Sequence, residues 1–165
     1  MDIYLVRHAL AAPKDSAKWP DDRDRPLTGE GEARFRKAAG GLARTIKHLD
    51  LVFSSPLARA WRTAEILHEE AGWPPPRKMV ELEPGRRPEQ VVEALGRNGE
   101  TPAVALVGHE PHLSELASYL LTGDAGAVGL QIRKGGAVYL SLDGAPQAGR
   151  ATLGWLVPPR ILRAL

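Results

Sequence analysis

Two histidines and two arginines stand at or soon after the ends of short apolar runs, and their types suit the handling of an anion. Ile3 to Val6 is an apolar run that stops at Arg7-His8. Ala103 to Val107 is a second, ending in Gly108-His109, and a third, Leu51 to Phe53, passes through Ser54-Ser55-Pro56 to Arg59. Such runs read as buried strands, and open α/β sheets bind ligands in the crevice beyond the carboxyl ends of their strands. Three strands that each deliver a basic group past their ends describe an anion pocket. Two guanidinium forks hold a tetrahedral dianion through paired, charge-assisted hydrogen bonds. An imidazole beside a bound phosphoryl group is placed to attack phosphorus and carry it covalently. Arginines then absorb charge on the equatorial oxygens, work that other phosphoryl-transfer sites give to Mg²⁺.

The elements that must position these groups follow from periodicity. Ala11 to Pro26 is polar and aperiodic and reads as a loop. Thr28-Gly29-Glu30 starts a helix on which Phe35, Ala38, Ala39, Leu42 and Ile46 recur at helical spacing to about His48. Pro56 sits near the start of a second helix with Ala60, Ala64, Leu67 and Ala71 on one face, broken by Trp73-Pro-Pro-Pro76. Met79 to Leu82 reads as a short strand, Pro88 opens a helix, and Pro111 opens another carrying Leu113, Leu116, Ala117, Leu120 and Leu121. Ala137 to Leu142 and Ala151 to Leu156 alternate like half-buried strands around Asp143-Gly144. Strands separated by helices give a mostly parallel sheet with both faces covered, and the tail adds an antiparallel hairpin. The expected class is α/β, a three-layer α/β/α sandwich, and 165 residues suit one domain over 1–165.

Composition removes several classes. Lys and Arg number 22 against 20 Asp and Glu, for a formal net charge of +2, and the basic residues are interspersed, so no nucleic-acid partner is expected. The absence of cysteine excludes a disulfide framework, thiolate zinc sites and a cysteine nucleophile. No apolar run approaches the roughly 18 residues of a membrane span. Met1-Asp2-Ile3 enters a strand without a basic leader, so the expected place is the cytoplasm, with no membrane partner.

Four segments resemble, in order, the motifs of the histidine phosphatase superfamily: Leu5-Val-Arg-His-Ala9, Pro26-Leu-Thr-Gly-Glu-Gly31, Ser54-Ser-Pro-Leu-Ala-Arg-Ala60 with Thr63-Ala64, and Val107-Gly-His-Glu-Pro111. The resemblance runs from the first strand through the helix after His109. It implies a phosphoglycerate mutase-like fold, His8 as nucleophile, and Arg7, Arg59 and His109 as further phosphoryl-binding groups. The short chain and Gly-His-Glu-Pro-His-Leu-Ser resemble the small phosphohistidine phosphatases of bacterial signalling. One departure is Ala9, where the family usually has glycine.

The general acid is left open. Larger family members cleave phosphate esters with a glutamate from an inserted region, and here the matching stretch offers only Glu81 and Glu83, with Asp21, Asp22 and Asp24 in the early loop as further candidates. A phosphohistidine substrate lessens the need for an acid, since its imidazole leaves as a neutral ring. Other residues read as structural: Ser54 and Ser55 as turn residues, Arg62 as a solvated helix charge, His48 and His68 as helix residues, Gly123 to Gly129 as a flexible turn. His112, three residues after His109, lacks the spacing of a metal pair. Lys14, Lys18, Arg23 and Arg25 read as a solvated loop, the alternative being a surface that steers an acidic phosphoprotein. The sequence therefore points to a phosphatase without metal or other cofactor, acting on a phosphohistidine-bearing protein and releasing inorganic phosphate. A small phosphorylated metabolite as substrate, or a weak phosphate-binding module, are the alternatives.

Overall fold

The chain's apolar runs form one six-stranded sheet. In the computed structural model, which describes residues 1–98 and 101–165, β1 (Asp2–Arg7), β2 (Leu51–Ser54), β3 (Arg77–Lys78), β4 (Ala103–Gly108), β5 (Ala137–Ser141) and β6 (Thr152–Val157) lie in the order β3-β2-β4-β1-β5-β6. The first four strands pair in parallel, and β5 and β6 complete the sheet in antiparallel fashion.

Side chains alternate across the pleat, so each central strand feeds both faces. Tyr4, Val6, Val52, Ala105 and Val107 join Phe35 and Leu42 of α1 (Gly29–Thr45), Ala64 and Leu67 of α2 (Ala58–Ala71), and Leu162 of a short C-terminal helix. On the opposite face Ile3, Leu5, Val104 and Leu106 pack against Val91 and Leu95 of α3 (Pro88–Gly96) and Leu116 and Leu120 of α4 (His112–Thr122). The C-terminal helix is α5 (Pro159–Leu162). Burial on both faces explains why β1 and β4 read as unbroken apolar runs rather than alternating ones. Each fully buried leucine, such as Leu106 or Leu116, contributes about 2 kcal/mol. The three-layer α/β/α sandwich with an antiparallel C-terminal pair is thus the observed architecture.

Three boundaries differ from expectation. α1 ends at Thr45, because Ile46 turns into extended backbone to bring the chain back to β2, and His48 therefore lies outside the helix. The expected strand at Met79–Leu82 is a 3₁₀ turn over Val80–Leu82, with β3 just before it. The Met79 amide makes the last ladder bond, to Ser54 O at 2.9 Å, after which Met79 and Leu82 turn inward to the core. β6 is an edge strand whose Thr152, Leu153 and Gly154 are exposed rather than alternating. The Tyr139 ring lies where a side chain at Gly154 would stand.

Thr28 caps α1 by accepting from Gly31 N at 2.9 Å, and two neighbouring glycines in this helix have opposite surroundings. A Cβ at Gly41 would stand 2.0 Å from Leu162 O, so Gly41 is what lets α5 pack on α1; at Gly40 the nearest atoms are the Arg44 guanidinium tip, 3.9 Å away. Gly41→Ala is expected to destabilise the protein by about 1–3 kcal/mol through forced backbone movement. Gly40→Ala is expected to stabilise it by up to about 1 kcal/mol from helix propensity. Urea unfolding of the two variants checks the pair, and equal effects would contradict this account of the α1–α5 contact.

Candidate active site

The parallel register brings the basic residues together. β4 lies between β1 and β2, with Arg7 opposite Gly108 and Ser54 opposite Val107. The ladders run one residue further, His8 N donating to Gly108 O at 3.0 Å and Ser55 N to Val107 O at 2.9 Å. His8, His109 and Ser55 therefore leave adjacent strands side by side, and the His8 and His109 rings stand 5.2 Å apart and tilted by 55°. Arg59 arrives from the first turn of α2.

His8 is buried, and its Nδ1 is 2.7 Å from Ala9 O. A carbonyl only accepts, so Nδ1 carries the proton and the lone pair is left on Nε2. Burial, reinforced by the positive charge of Arg59, Arg7 and Lys134, lowers the His8 pKa to about 3, against the opposing bond to Ala9. His109 Nε2 lies 2.9 Å from Ser55 Oγ, and burial together with the neighbouring basic groups lowers its pKa to about 2. Both rings are neutral at ordinary pH. Arg7 donates from one Nη to Ile132 O at 2.8 Å. Arg59 donates to Asp22 O at 2.8 Å and forms an ion pair with the Asp22 carboxylate at 3.0 Å. Burial lowers both arginine pKa values, offset in part by Glu110 beside Arg7 and Asp22 beside Arg59. Arg7 Nε, Arg59 Nε and His109 Nδ1 are buried with no hydrogen-bond partner among the described residues, an unusual concentration of unpaired polar atoms.

A second set of residues braces the cluster. Ala9 N donates to Thr63 Oγ1 at 3.0 Å, and that hydroxyl donates to Arg59 O at 2.7 Å, tying the end of β1 to α2. Gly31 allows α1 to approach the same loop, since a Cβ there would stand 2.1 Å from Leu10 O. Glu110 accepts from Ser114 Oγ and Ile132 N, and so holds the segment that receives Arg7. Of these, Ser55 was expected only to shape a turn, and its bond to His109 had no local signal. Thr63, Gly31 and Glu110 fell inside the quoted motifs without a role. Lys134, from an aperiodic loop, had no signal at all.

The candidate acids fare differently. Asp22 is the early-loop acid that reaches the cluster; Asp21 caps the 3₁₀ turn Asp22–Asp24 instead. Glu81 pairs with Arg97 at 3.1 Å, and Glu83 with Arg23 at 2.8 Å. Among the described residues neither glutamate bonds to His8, His109, Arg7 or Arg59. Glu83 is linked to the site only through Arg23, the neighbour of Asp22. Arg62, expected as a solvated charge, sits in an ion-pair network with Glu32, Glu65 and Glu69. His68 bonds Trp73 O through Nδ1, and His48 bonds Asp50. His112 is buried, and no group of three or more His, Cys, Asp or Glu among the described residues is arranged to hold a metal. Arg25 is spent on Asp22 and Ala12 O.

The sequence profile of the histidine phosphatase superfamily (branch 1) matches residues 3–83. An uncharacterized protein of Picosynechococcus sp. is 36% identical over 142 residues, covering 85% of this chain and 84% of that one. The protein histidine phosphatase SixA, solved with tungstate, superimposes with a TM-score of 0.83 at 25% identity over 98% of this chain and 99% of that chain. This chain belongs to the histidine phosphatase superfamily. As a member of that superfamily it is a phosphatase, and its motifs are the ones that converge at the strand ends. A mycobacterial glucosyl-3-phosphoglycerate phosphatase shares the superfamily fold, with a TM-score of 0.71 at 18% identity over 95% of this chain and 99% of that chain.

Keeping the imidazoles neutral has a pH signature. In the unfolded chain a histidine titrates near about 6.5; folded, His8, His109 and His112 titrate lower. Between those values the unfolded state binds more protons, so stability is present above about pH 6.5 and is lost as pH falls. The loss is at most about 1.4 kcal/mol per pH unit for each ring. Urea midpoints are expected to fall steadily from pH 6.5 to 4.5, before most carboxylates titrate, and more gently in His109→Gln. A flat midpoint over that window would contradict the neutral cluster.

Proposed function

We propose that this phosphatase hydrolyses phosphohistidine on a protein, through a covalent phosphohistidine intermediate at His8. The observation that carries the reading is a cluster of neutral, buried imidazoles and fixed guanidiniums with, among the described residues, no carboxyl poised to give up a proton. Among the described residues the one carboxylate bonded into it, Asp22, has its pKa held below the usual range by the hydrogen bond from Arg25 and by Arg59, and so is a poor acid. An alkoxide leaving group demands a proton; an imidazole protonated on its distal nitrogen leaves neutral and does not. The 25% identity to SixA over nearly the whole length of both chains supports the same substrate class.

The chemistry then follows from the tautomer. His8 Nε2 attacks phosphorus, the substrate P–N bond breaks, and its electron pair returns to the departing imidazole. The new phosphoimidazolium keeps its Nδ1 proton on Ala9 O, which offsets the charge formed on the ring. Water attacks phosphorus, the His8–P bond breaks, inorganic phosphate carries away the proton of water, and His8 returns to its starting tautomer. Arg7, Arg59 and His109 bind the phosphoryl oxygens and stabilise their charge in both transition states. Residues 1–165 act in this as one domain, in the cytoplasm. A second reading, hydrolysis of a small phosphomonoester, draws on Glu83 at the rim of the site.

Phosphate release is measured from a phosphohistidine peptide and from a sugar phosphate, in chelator. Wild type is expected to prefer the peptide, and His8→Ala to lose at least about a thousandfold in kcat. Preference for the sugar phosphate would favour the second reading. Undiminished turnover in His8→Ala would overturn the nucleophile assignment.

A further inference from the structure

Beside the catalytic cluster, between α1 and α5, lies a recess of about 280 Å³ that no step of the reaction uses. Its floor is apolar, with Leu10, Phe35 and Pro159, and its walls carry Arg34, Lys134, Arg160 and Arg163. These cations come from three separate segments. Arg34 pairs with Glu30 along its own helix. Among the described residues, Lys134, Arg160 and Arg163 make no ion pair, and all three are exposed. A neighbouring dip continues the strip, adding Lys37 to Arg34 and Arg163, with Glu30 as its one acid.

The recess adjoins the site through Ala9 and Lys134. Lys134 is one of the charges that keep His8 neutral, and the next residue is fixed in place, Gly135 N donating to both Arg7 O and His8 O at 3.1 Å. A ligand in the recess therefore lies next to the end of β1 that carries His8. On the opposite rim, Arg23 and Arg25 are already paired with Glu83 and Asp22. Among the described residues the α1–α5 side thus gathers three cations without an ion pair beside the site, Lys134, Arg160 and Arg163.

We propose that this recess docks an acidic segment of the phosphoprotein substrate, next to its phosphohistidine; the inference rests on the phosphohistidine reading above. Charge complementarity selects the occupant: cations spread over three segments and two adjoining dips match an extended acidic chain better than a single small anion. The apolar floor accommodates the stems and apolar neighbours of its side chains. Exposed charges of this kind act through steering and through screened pairing, so their effect weakens with salt.

The test compares two phosphohistidine peptides, one flanked by Asp and Glu and one by Ser and Gly, with phosphoramidate as a substrate lacking any flank. Wild type is expected to favour the acidic peptide, less so at high salt. Arg160→Ala/Arg163→Ala is expected to lower kcat/KM for the acidic peptide about tenfold, mainly through KM, leaving the neutral peptide and phosphoramidate unchanged. Arg160→Lys/Arg163→Lys, which keeps the charge, is expected to restore the preference. Equal use of both peptides by wild type, or equal losses on both in the alanine variant, would overturn the docking role alone. Hydrolysis of the sugar phosphate but of neither peptide would overturn it together with the substrate reading.

Discussion

Everything at the strand ends depends on holding like charge together in a place that excludes water. Arg7, Arg59, His8 and His109 occupy one cluster, and burial makes each of their charged forms costly. The two kinds of residue meet that cost differently. The imidazoles give up their protons, at pKa values of about 3 and 2. The guanidiniums cannot, and each instead keeps one carboxylate at hand, Glu110 for Arg7 and Asp22 for Arg59. The backbone supplies the rigidity that this arrangement needs. Parallel ladders fix His8, His109 and Ser55 laterally, and the Ala9–Thr63–Arg59 chain of hydrogen bonds locks α2 to the end of β1. A cluster on mobile loops would relax by moving its charges apart; one bonded into three central strands does not.

Much of this was legible because it follows from local pattern. An apolar run closed by a basic residue marks both the strand and the point where its side chains emerge, so Arg7, His8 and His109 are visible before any topology is known. Arg59 is visible from its place in the first turn of a helix that follows a strand. What local pattern does not carry is sheet order. That β4 lies between β1 and β2, bringing Ser55 to His109, is a property of pairings between residues about fifty and about a hundred positions apart. The acids show the same limit. Glu81 and Glu83 were candidates by chain position, but each is drawn into an ion pair, with Arg97 and Arg23, that sequence distance conceals. Asp22 stood among several equivalent acids until the fold of its turn placed it on Arg59. The turn at Val80–Leu82 was misread as a strand because short apolar stretches look alike whether they pair or simply dip into the core.

Ala9 is the one visible departure from the family motif, and its surroundings show how the chain accommodates it. Its amide is committed to Thr63, its carbonyl to His8 Nδ1, and the residue lines the recess between α1 and α5. The backbone at this position therefore performs two fixed tasks that any small residue allows.

On the proposed reading, the same desolvation that makes the cluster costly also favours covalent chemistry on His8. A histidine with an unperturbed pKa would be partly protonated near neutrality, and the protonated fraction has no lone pair with which to attack. Here burial, reinforced by the surrounding positive charge, keeps the ring neutral before substrate binds, and the Ala9 carbonyl directs its lone pair to Nε2. On that reading a phosphoryl dianion reverses the local field as it enters, so the positive charge that was disfavoured on the ring becomes tolerable when the Nε2–P bond of the phosphoimidazolium forms. On the proposed reading, the nucleophile is held uncharged by its neighbours until the substrate itself supplies the compensating charge. Neither state of the cycle then leaves an unpaired charge buried, and no separate base is needed to prepare His8 for attack.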